Sequence, residues 1–304
     1  MPQGSVLGPT LFLMFINDID LAVDVSGSYL LKFADDTKWS MVVESEEQSR
    51  IFQEGILRLE AWSREWQMLF NSDKCHILHL GARNQKFEYI MGGRVLDSVD
   101  SEKDLGVIVH KSLKPSAQCA KAAGKANQVL GQLSRAVTYR DKNTFLKLYS
   151  VYVRPHLEYA VQSWCPYTQE DKAALEKIQK RAISMVSNFS GKSYDEKLKE
   201  AGMISLQERR QRGDMIQVYK IMSKKEDVDP GIWFESLEDH RGEGIQTRHS
   251  AGLFNVRQKA SNNEVRRNFF SQRVCNSWNA LPDHVKAATS VNMFKNQYDL
   301  LFHP

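Results

Sequence analysis

The sequence predicts an α+β protein in which a helix and an antiparallel hairpin come first, a mostly helical stretch follows, and a mixed region closes the chain. Three observations predict it. An apolar run, Leu30-Leu31-Lys32-Phe33, leads to the adjacent carboxylates Asp35 and Asp36, and a second apolar run returns from Trp39 to Val43, the pattern of strand, tight turn and strand. After Pro115, apolar residues recur at helical spacing for most of a hundred residues. The polar stretch from Lys224 to Gly231, closed by Pro230-Gly231, is the clearest linker signal in the chain. These features divide the sequence into residues 1–112, 113–225 and 226–304.

In order along the chain, Gly4 and Gly8 permit close backbone approach and unusual dihedrals, and Pro9 suits the first turn of a helix. Leu11, Phe12, Phe15, Ile16 and Ile19 then make one apolar stripe of that helix. At the hairpin, a turn can aim two successive side chains at one point, where paired carboxylates repel unless a cation lies between them; Mg²⁺ suits such hard oxygens. The plain alternative is that Asp is a common turn former. Ser45, Glu46 and Glu47 start a helix expected to run to Asn71, with Ile51, Gly55, Leu59 and Trp62 on one face and Trp66 after them, the tryptophans being core. A strand is expected over Cys75–Gly81; His76 and His79, three apart on it, face opposite sides and make a poor metal pair. Gly92-Gly93 signals a turn, and Asp104 to Val109 reads as a short buried strand.

Beyond Pro115 a helix over Ala117–Ala136 exposes Lys121, Lys125 and Arg135. Asp141 caps the next, which places Phe145, Leu148, Tyr149 and Tyr152 at helical spacing as one apolar stripe and stops near Pro155. Thr168 and Asp171 precede a stripe of Leu175, Ile178, Ala182, Ile183 and Val186. Arg209, Arg210 and Arg212 lie on a helix ending at Met222. Near the end, Arg257, Lys259, Arg266, Arg267 and Arg273 alternate with Phe269 and Phe270, a pattern open to phosphate contact through the arginines. The helical spacing of Phe270, Val274, Trp278 and Leu281 makes the aromatics core, and a last helix aligns Val291, Phe294, Tyr298 and Leu301.

Composition bounds the function. The 304 residues allow about two domains, and 42% hydrophobic with 26% charged residues is ordinary for a soluble globular protein. A net charge of +4 is only mildly basic, so nucleic-acid binding must come from local clustering. Cys75, Cys119, Cys165 and Cys275 are scattered, with no zinc-binding spacing; free thiols in a reducing, intracellular setting are expected, nucleus and cytoplasm being indistinguishable. No apolar run approaches the roughly 20 residues of a membrane span, and no signal-peptide pattern opens the chain.

Together, Pro2-Gln3-Gly4-Ser5-Val6-Leu7-Gly8-Pro9, Phe15-Ile16-Asn17-Asp18-Ile19 and Phe33-Ala34-Asp35-Asp36 resemble the reverse transcriptases of non-LTR (LINE-type) retrotransposons. The resemblance implies a partial polymerase palm over 1–112, a helical thumb over 113–225 that grips the duplex, and a C-terminal region over 226–304. Asp35 and Asp36 would hold Mg²⁺ and serve catalysis. Lys74, following Asn71, would lie near the triphosphate and protonate the leaving pyrophosphate. Gln3, Gly4, Ser5 and Phe33 would meet the incoming nucleotide, the template or the primer end. Implied partners are an RNA template, a DNA primer and deoxynucleoside triphosphates, and no membrane. Members of this family carry fingers and a further metal-binding aspartate ahead of the Gly-rich segment, whereas this sequence opens at Met1-Pro2-Gln3-Gly4. The expectation is therefore a fragment of an RNA-directed DNA polymerase, inactive alone because two-metal nucleotidyl transfer needs the further ligand. The alternative is a non-enzymatic nucleic-acid-binding module built on the helical and basic C-terminal regions.

Overall fold

Pro9 stands in the first turn of α1 (Gly8–Ile16), as its fixed φ favours. The computed structural model describes residues 4–23, 25–236 and 255–302. They form two compact units, Met1–Asp104 with His110–Leu113, and Leu105–Val109 with Lys114–Pro304.

In the first unit the expected single stripe is split between α1 and α2 (Ile19–Ala22). Ile16 and Ile19 are buried, but Leu11 is exposed, because the chain bends at Asn17 and Asp18. Lys32 explains the stop: its ammonium donates to the Ile16 and Asn17 carbonyls at 3.5 and 3.0 Å and to the Asp20 carboxylate at 2.8 Å. A cation from elsewhere thus satisfies the orphan carbonyls of the helix end. Lys32 belongs to β1 (Ser28–Phe33), which pairs antiparallel with β2 (Asp36–Met41). The returning strand starts at Asp36 rather than Trp39, since the turn is shorter than the sequence suggested.

α3 (Glu46–Glu65) begins as expected, with the Ser45 hydroxyl accepting from the Gln48 amide. It ends six residues before Asn71. Gln67 takes φ +54°, its amide bonds the Arg64 carbonyl, and the Met68 amide bonds the Ser63 carbonyl. This is a Schellman stop built on Gln instead of the usual Gly, hence invisible to a search for glycine. Trp62 is buried as expected, whereas Trp66, at the helix end, is 43% exposed.

The remaining strands are short: β3 (His76–Ile77), β4 (Ile90–Met91), β5 (Arg94–Val95), β6 (Asp97–Ser98), β7 (Ser101–Asp104) and β8 (Val107–His110). The strand expected over Cys75–Gly81 shrinks to β3, which pairs parallel with β6. Gly92 and Gly93, both at positive φ, form the two-residue loop joining β4 to β5. Leu105 and Gly106 also take positive φ, so the strand expected from Asp104 begins only at Val107.

In the second unit, α4 (Ser116–Ala136) matches its expectation, and Asp141 caps α5 (Lys142–Leu148) by accepting from the Thr144 amide. A π-helical turn over Tyr149–Val153 then leads into α6 (Arg154–Glu158), so the chain passes Pro155 without stopping. The wider turn, and the place of Pro155 in the first turn of α6, accommodate the missing amide. The same turn shifts the helical phase: Val153 is buried and Tyr152 is 57% exposed, taking Tyr152 off the expected stripe.

α7 (Val161–Trp164) precedes α8 (Gln169–Ser184), where Thr168 accepts from the Asp171 amide and the foreseen stripe is buried. Capping boxes, unforeseen, open α9 (Tyr194–Ala201) and α10 (Leu206–Met222). Ala126, Leu130, Phe145, Tyr149, Leu157, Leu175, Ile183 and Leu206 are fully enclosed in the resulting core. Short helices follow: α11 (Pro230–Trp233), α12 (Glu264–Arg267), α13 (Phe270–Arg273), α14 (Cys275–Asn279) and α15 (Asp283–Lys286). They bury Phe270, Val274, Trp278 and Leu281 as expected, packing with Met215 and Tyr219 of α10 and Phe294 of α16 (Val291–Phe302). Leu301, assigned to the buried face of the last helix, is 43% exposed in its final turn.

Candidate functional site

The early hairpin has a two-residue loop, Ala34-Asp35, because Phe33 and Asp36 are directly paired across the ladder. Ala34 takes φ +53°, the conformation usually left to glycine at the first position of such a loop, while Asp35 stays out of the positive-φ region. An alanine there costs about 1 kcal/mol, so the loop holds a conformation that the rest of the hairpin must enforce. That support comes from the inner face, where Leu30 and Trp39 pack with Ile16, Ile19, Leu59 and Trp62. Trp39 stacks on Phe52 with ring centroids 4.1 Å apart, and it lies so close over Gly55 that a Cβ there would fall 2.1 Å from its ring. Gly55 therefore lets the hairpin settle on α3.

Strand alternation sends the other set of side chains outward. Tyr29, Leu31, Phe33, Asp36 and Lys38 form an open face, with Phe33 64% exposed. Asp35 at the loop is exposed too, and neither aspartate has a hydrogen-bond or ion-pair partner among the described residues. The hairpin lysines do not neutralise them: Lys32 is held by Asp20, and Lys38 by Asp104 at 2.6 Å. No local pattern announces the Lys38–Asp104 pair, which joins residues 66 positions apart. The tip is thus a pair of hard, uncompensated oxygen donors in a row, beside an exposed aromatic ring. Such donors fit a divalent cation that keeps part of its water shell. Among the described residues, no third His, Cys, Asp or Glu joins them to make a larger metal-holding group.

The other expected site residues lie elsewhere. Gly4 is exposed at φ +87° with open space where a Cβ would be. Ser5 has a structural task, its hydroxyl accepting from the Gly8 amide at 2.9 Å at the start of α1. Gln3 lies outside the described residues. Lys74 is exposed at the end of a single 3₁₀ turn (Ser72–Lys74), whose start Asn71 caps by accepting from the Asp73 amide. No hydrogen bond or ion pair among the described residues links Gly4, Ser5 or Lys74 to the aspartates. His76 pairs with Glu102 at 3.0 Å, while burial holds the His79 imidazole below its usual pKa.

Several basic residues of the helical and C-terminal regions are already engaged. Arg209 is paired with Glu158, Arg212 with Asp299 at 2.5 Å, and Arg273 with Asp214 through two 2.9 Å contacts. Arg257 and Lys259 both pair with Glu235. Arg266, stacked over Phe269, and Arg267 remain exposed. All four cysteines are free, as expected. No helix among the described residues is long and apolar enough to cross a membrane.

Comparison with known proteins bears on the hairpin directly. The family described as reverse transcriptase (RNA-dependent DNA polymerase) matches residues 1–109, the stretch that contains it. The chain is 27% identical over 204 residues to the RNA-directed DNA polymerase from mobile element jockey of Drosophila funebris, a match covering 63% of this chain and 22% of that protein. The probable RNA-directed DNA polymerase from transposon BS of Drosophila melanogaster is 26% identical over 204 residues, covering 62% of this chain and 22% of the relative. Residues 1–109 thus match the reverse-transcriptase family, and the similar proteins are RNA-directed DNA polymerases of mobile elements by their descriptions. The chain spans about a fifth of the length of these relatives, given the 22% coverage. No solved structure matches it. The reverse-transcriptase region thus holds every site residue named from the sequence, and the matches to the relatives extend beyond it, since 204 aligned residues exceed its length.

Proposed function

We propose that this chain is a fragment of an RNA-directed DNA polymerase of a mobile element, in which Asp35 and Asp36 hold a divalent cation, Mg²⁺, for nucleotidyl transfer. The observation that carries this reading is the hairpin tip, where two adjacent carboxylates stand exposed and unpaired within the region matching the reverse-transcriptase family. The bound cation would steady negative charge on transferring phosphate oxygens. Phe33, on the same open face as Asp36, would support the nucleotide or template, and Lys74 would lie toward the triphosphate. In this reading residues 1–112 are a partial palm, 113–225 a thumb and 226–304 a C-terminal extension. The partners are an RNA template, a DNA primer and deoxynucleoside triphosphates.

The test begins with the metal. Mn²⁺ used as a paramagnetic substitute for Mg²⁺ should bind the 304-residue chain and broaden backbone signals around residues 33–38. Asp35→Asn with Asp36→Asn should abolish that broadening without altering the fold. Broadening centred elsewhere, or untouched by the double change, would sink the assignment. Primer extension on an RNA template should be absent from the chain alone, because two carboxylates supply only part of a two-metal cage. A nucleic-acid-binding module is the second reading, favoured by Arg266 and Arg267, exposed beside Phe269. It predicts salt-dependent RNA binding that survives the aspartate changes and weakens on Arg266→Gln with Arg267→Gln.

A further inference from the structure

Arg210, on α10, is only 4% exposed, yet both terminal nitrogens of its guanidinium lack a hydrogen-bond acceptor among the described residues. A buried guanidinium that cannot shed its charge is among the costliest groups to leave without a partner. Asp214, one turn further along that helix, is hydrogen-bonded by two nitrogens of Arg273 and offers Arg210 electrostatic attraction without a hydrogen bond. Asp171, another buried acid in this part of the unit, is occupied by the hydroxyls of Ser116 and Thr168 at 2.8 and 2.7 Å. Arg210 lines a cavity of about 230 Å³ together with Tyr167, Lys172, Asp214 and Arg273. Two more donors there are unspent. The Tyr167 hydroxyl is buried with no partner, and the half-buried Lys172 ammonium has no ion pair among the described residues.

Three cations against one carboxylate line this space, and the unsatisfied atoms are donors in every case. A ligand that complements them is rich in acceptors and negatively charged. The cavity falls below the roughly 300–1,000 Å³ of pockets that enclose organic ligands, so it suits one tetrahedral oxyanion and some water. We infer that the cavity bounded by Tyr167, Lys172 and Arg210 is a binding site for a single phosphate group. It lies in the second unit and does not depend on the aspartate hairpin. Arg210 supplies fixed, planar donors that need not be reorganised on binding, Lys172 supplies a mobile charge at the edge, and Tyr167 adds a neutral donor.

The phosphate has two chemical sources, the free ion or the terminal monoester of a nucleotide or strand. Calorimetric titration of the full chain with inorganic phosphate distinguishes the site from ordinary screening, if ionic strength is held constant with chloride and EDTA removes metals. Saturable binding to one site is expected. It should weaken about ten- to a hundredfold in Arg210→Met, the range set by one charged hydrogen-bonding group. Because Arg210 is buried and its replacement can disturb folding, Lys172→Gln and Tyr167→Phe provide independent variants, each expected to weaken binding several-fold. Asp35→Asn with Asp36→Asn should leave the affinity unchanged. Competition by a 5′-phosphorylated oligonucleotide, and none by its 5′-hydroxyl counterpart, would assign the site to a strand end; competition by neither would assign it to the free ion. Absence of saturable binding, or equal affinity in Lys172→Gln, Tyr167→Phe and the parent chain, would overturn the proposal and leave a water-filled cavity.

Discussion

The two units spend their apolar residues differently. The second has one core of twenty buried apolar residues and another of fifteen, enough to enclose Phe145, Tyr149, Trp278 and Phe294 almost completely. The first has clusters of five and four, while Val6, Leu7, Leu13, Met14, Leu21, Tyr29, Leu31 and Phe33 are exposed. Scattered exposed apolar residues are normal, but a strand face with three of them is the kind of surface that meets a partner. The second unit thus holds the larger enclosed cores, and the first carries the exposed strand face beside the two aspartates.

Four measurements sharpen or break this contrast, in falling order of effect. Leu130→Ala, at a site with no exposure, should cost about 2–5 kcal/mol and lower the denaturant midpoint of the second unit. If both units lose stability equally, they are a single cooperative body. Gly55→Ala should cost about 1–3 kcal/mol, because its Cβ would fall 2.1 Å from the Trp39 ring. Hydrogen exchange should show the loss at residues 28–41 and spare α8. Protection that falls everywhere would again argue against separate units.

Smaller effects follow. Asp141→Ala should destabilise the second unit by uncapping α5, a smaller effect than either core change. The Thr144 amide it accepts from holds this carboxyl below the usual range. A depressed folded pKa means that the contribution is complete above the unfolded value and is lost as pH falls through the folded one. Acid titration followed at α5 amides checks this sign, and stabilisation at low pH would refute it. Asp35→Asn and Asp36→Asn should each change stability by less than about 0.5 kcal/mol, since both are exposed without partners. A large loss in thermal melts would give them a structural role that the present geometry lacks.

Where the sequence was legible, a local cause fixed the element. Ser45, Asp141 and Thr168 cap helices because their side chains reach amides two or three residues away. Gly92-Gly93 turn because both need positive φ. The hairpin carrying Asp35 and Asp36 was visible for the same reason, as strand alternation interrupted by turn residues. The misreadings came where distant groups took part. α1 ends at Ile16 because Lys32 captures its carbonyls, and α3 ends at Glu65 because Gln67, which carries no glycine signal, assumes a glycine conformation. Tyr152 lost its place on the stripe to a π-helical turn that no periodicity of 3.6 anticipates.

The α+β class, the two-carboxylate tip and the likeness to reverse transcriptases are legible in the residues, because each rests on residue type and short spacing. Which charges remain available is settled by packing. Arg273, open to phosphate contact in the sequence, is consumed by Asp214, and Arg209 and Arg212 are likewise held by acids far along the chain. Arg210, written between two of them, is buried without an acceptor. Ion pairing depends on which side chains folding brings within about 4 Å of each other, and that proximity is a property of the packed chain.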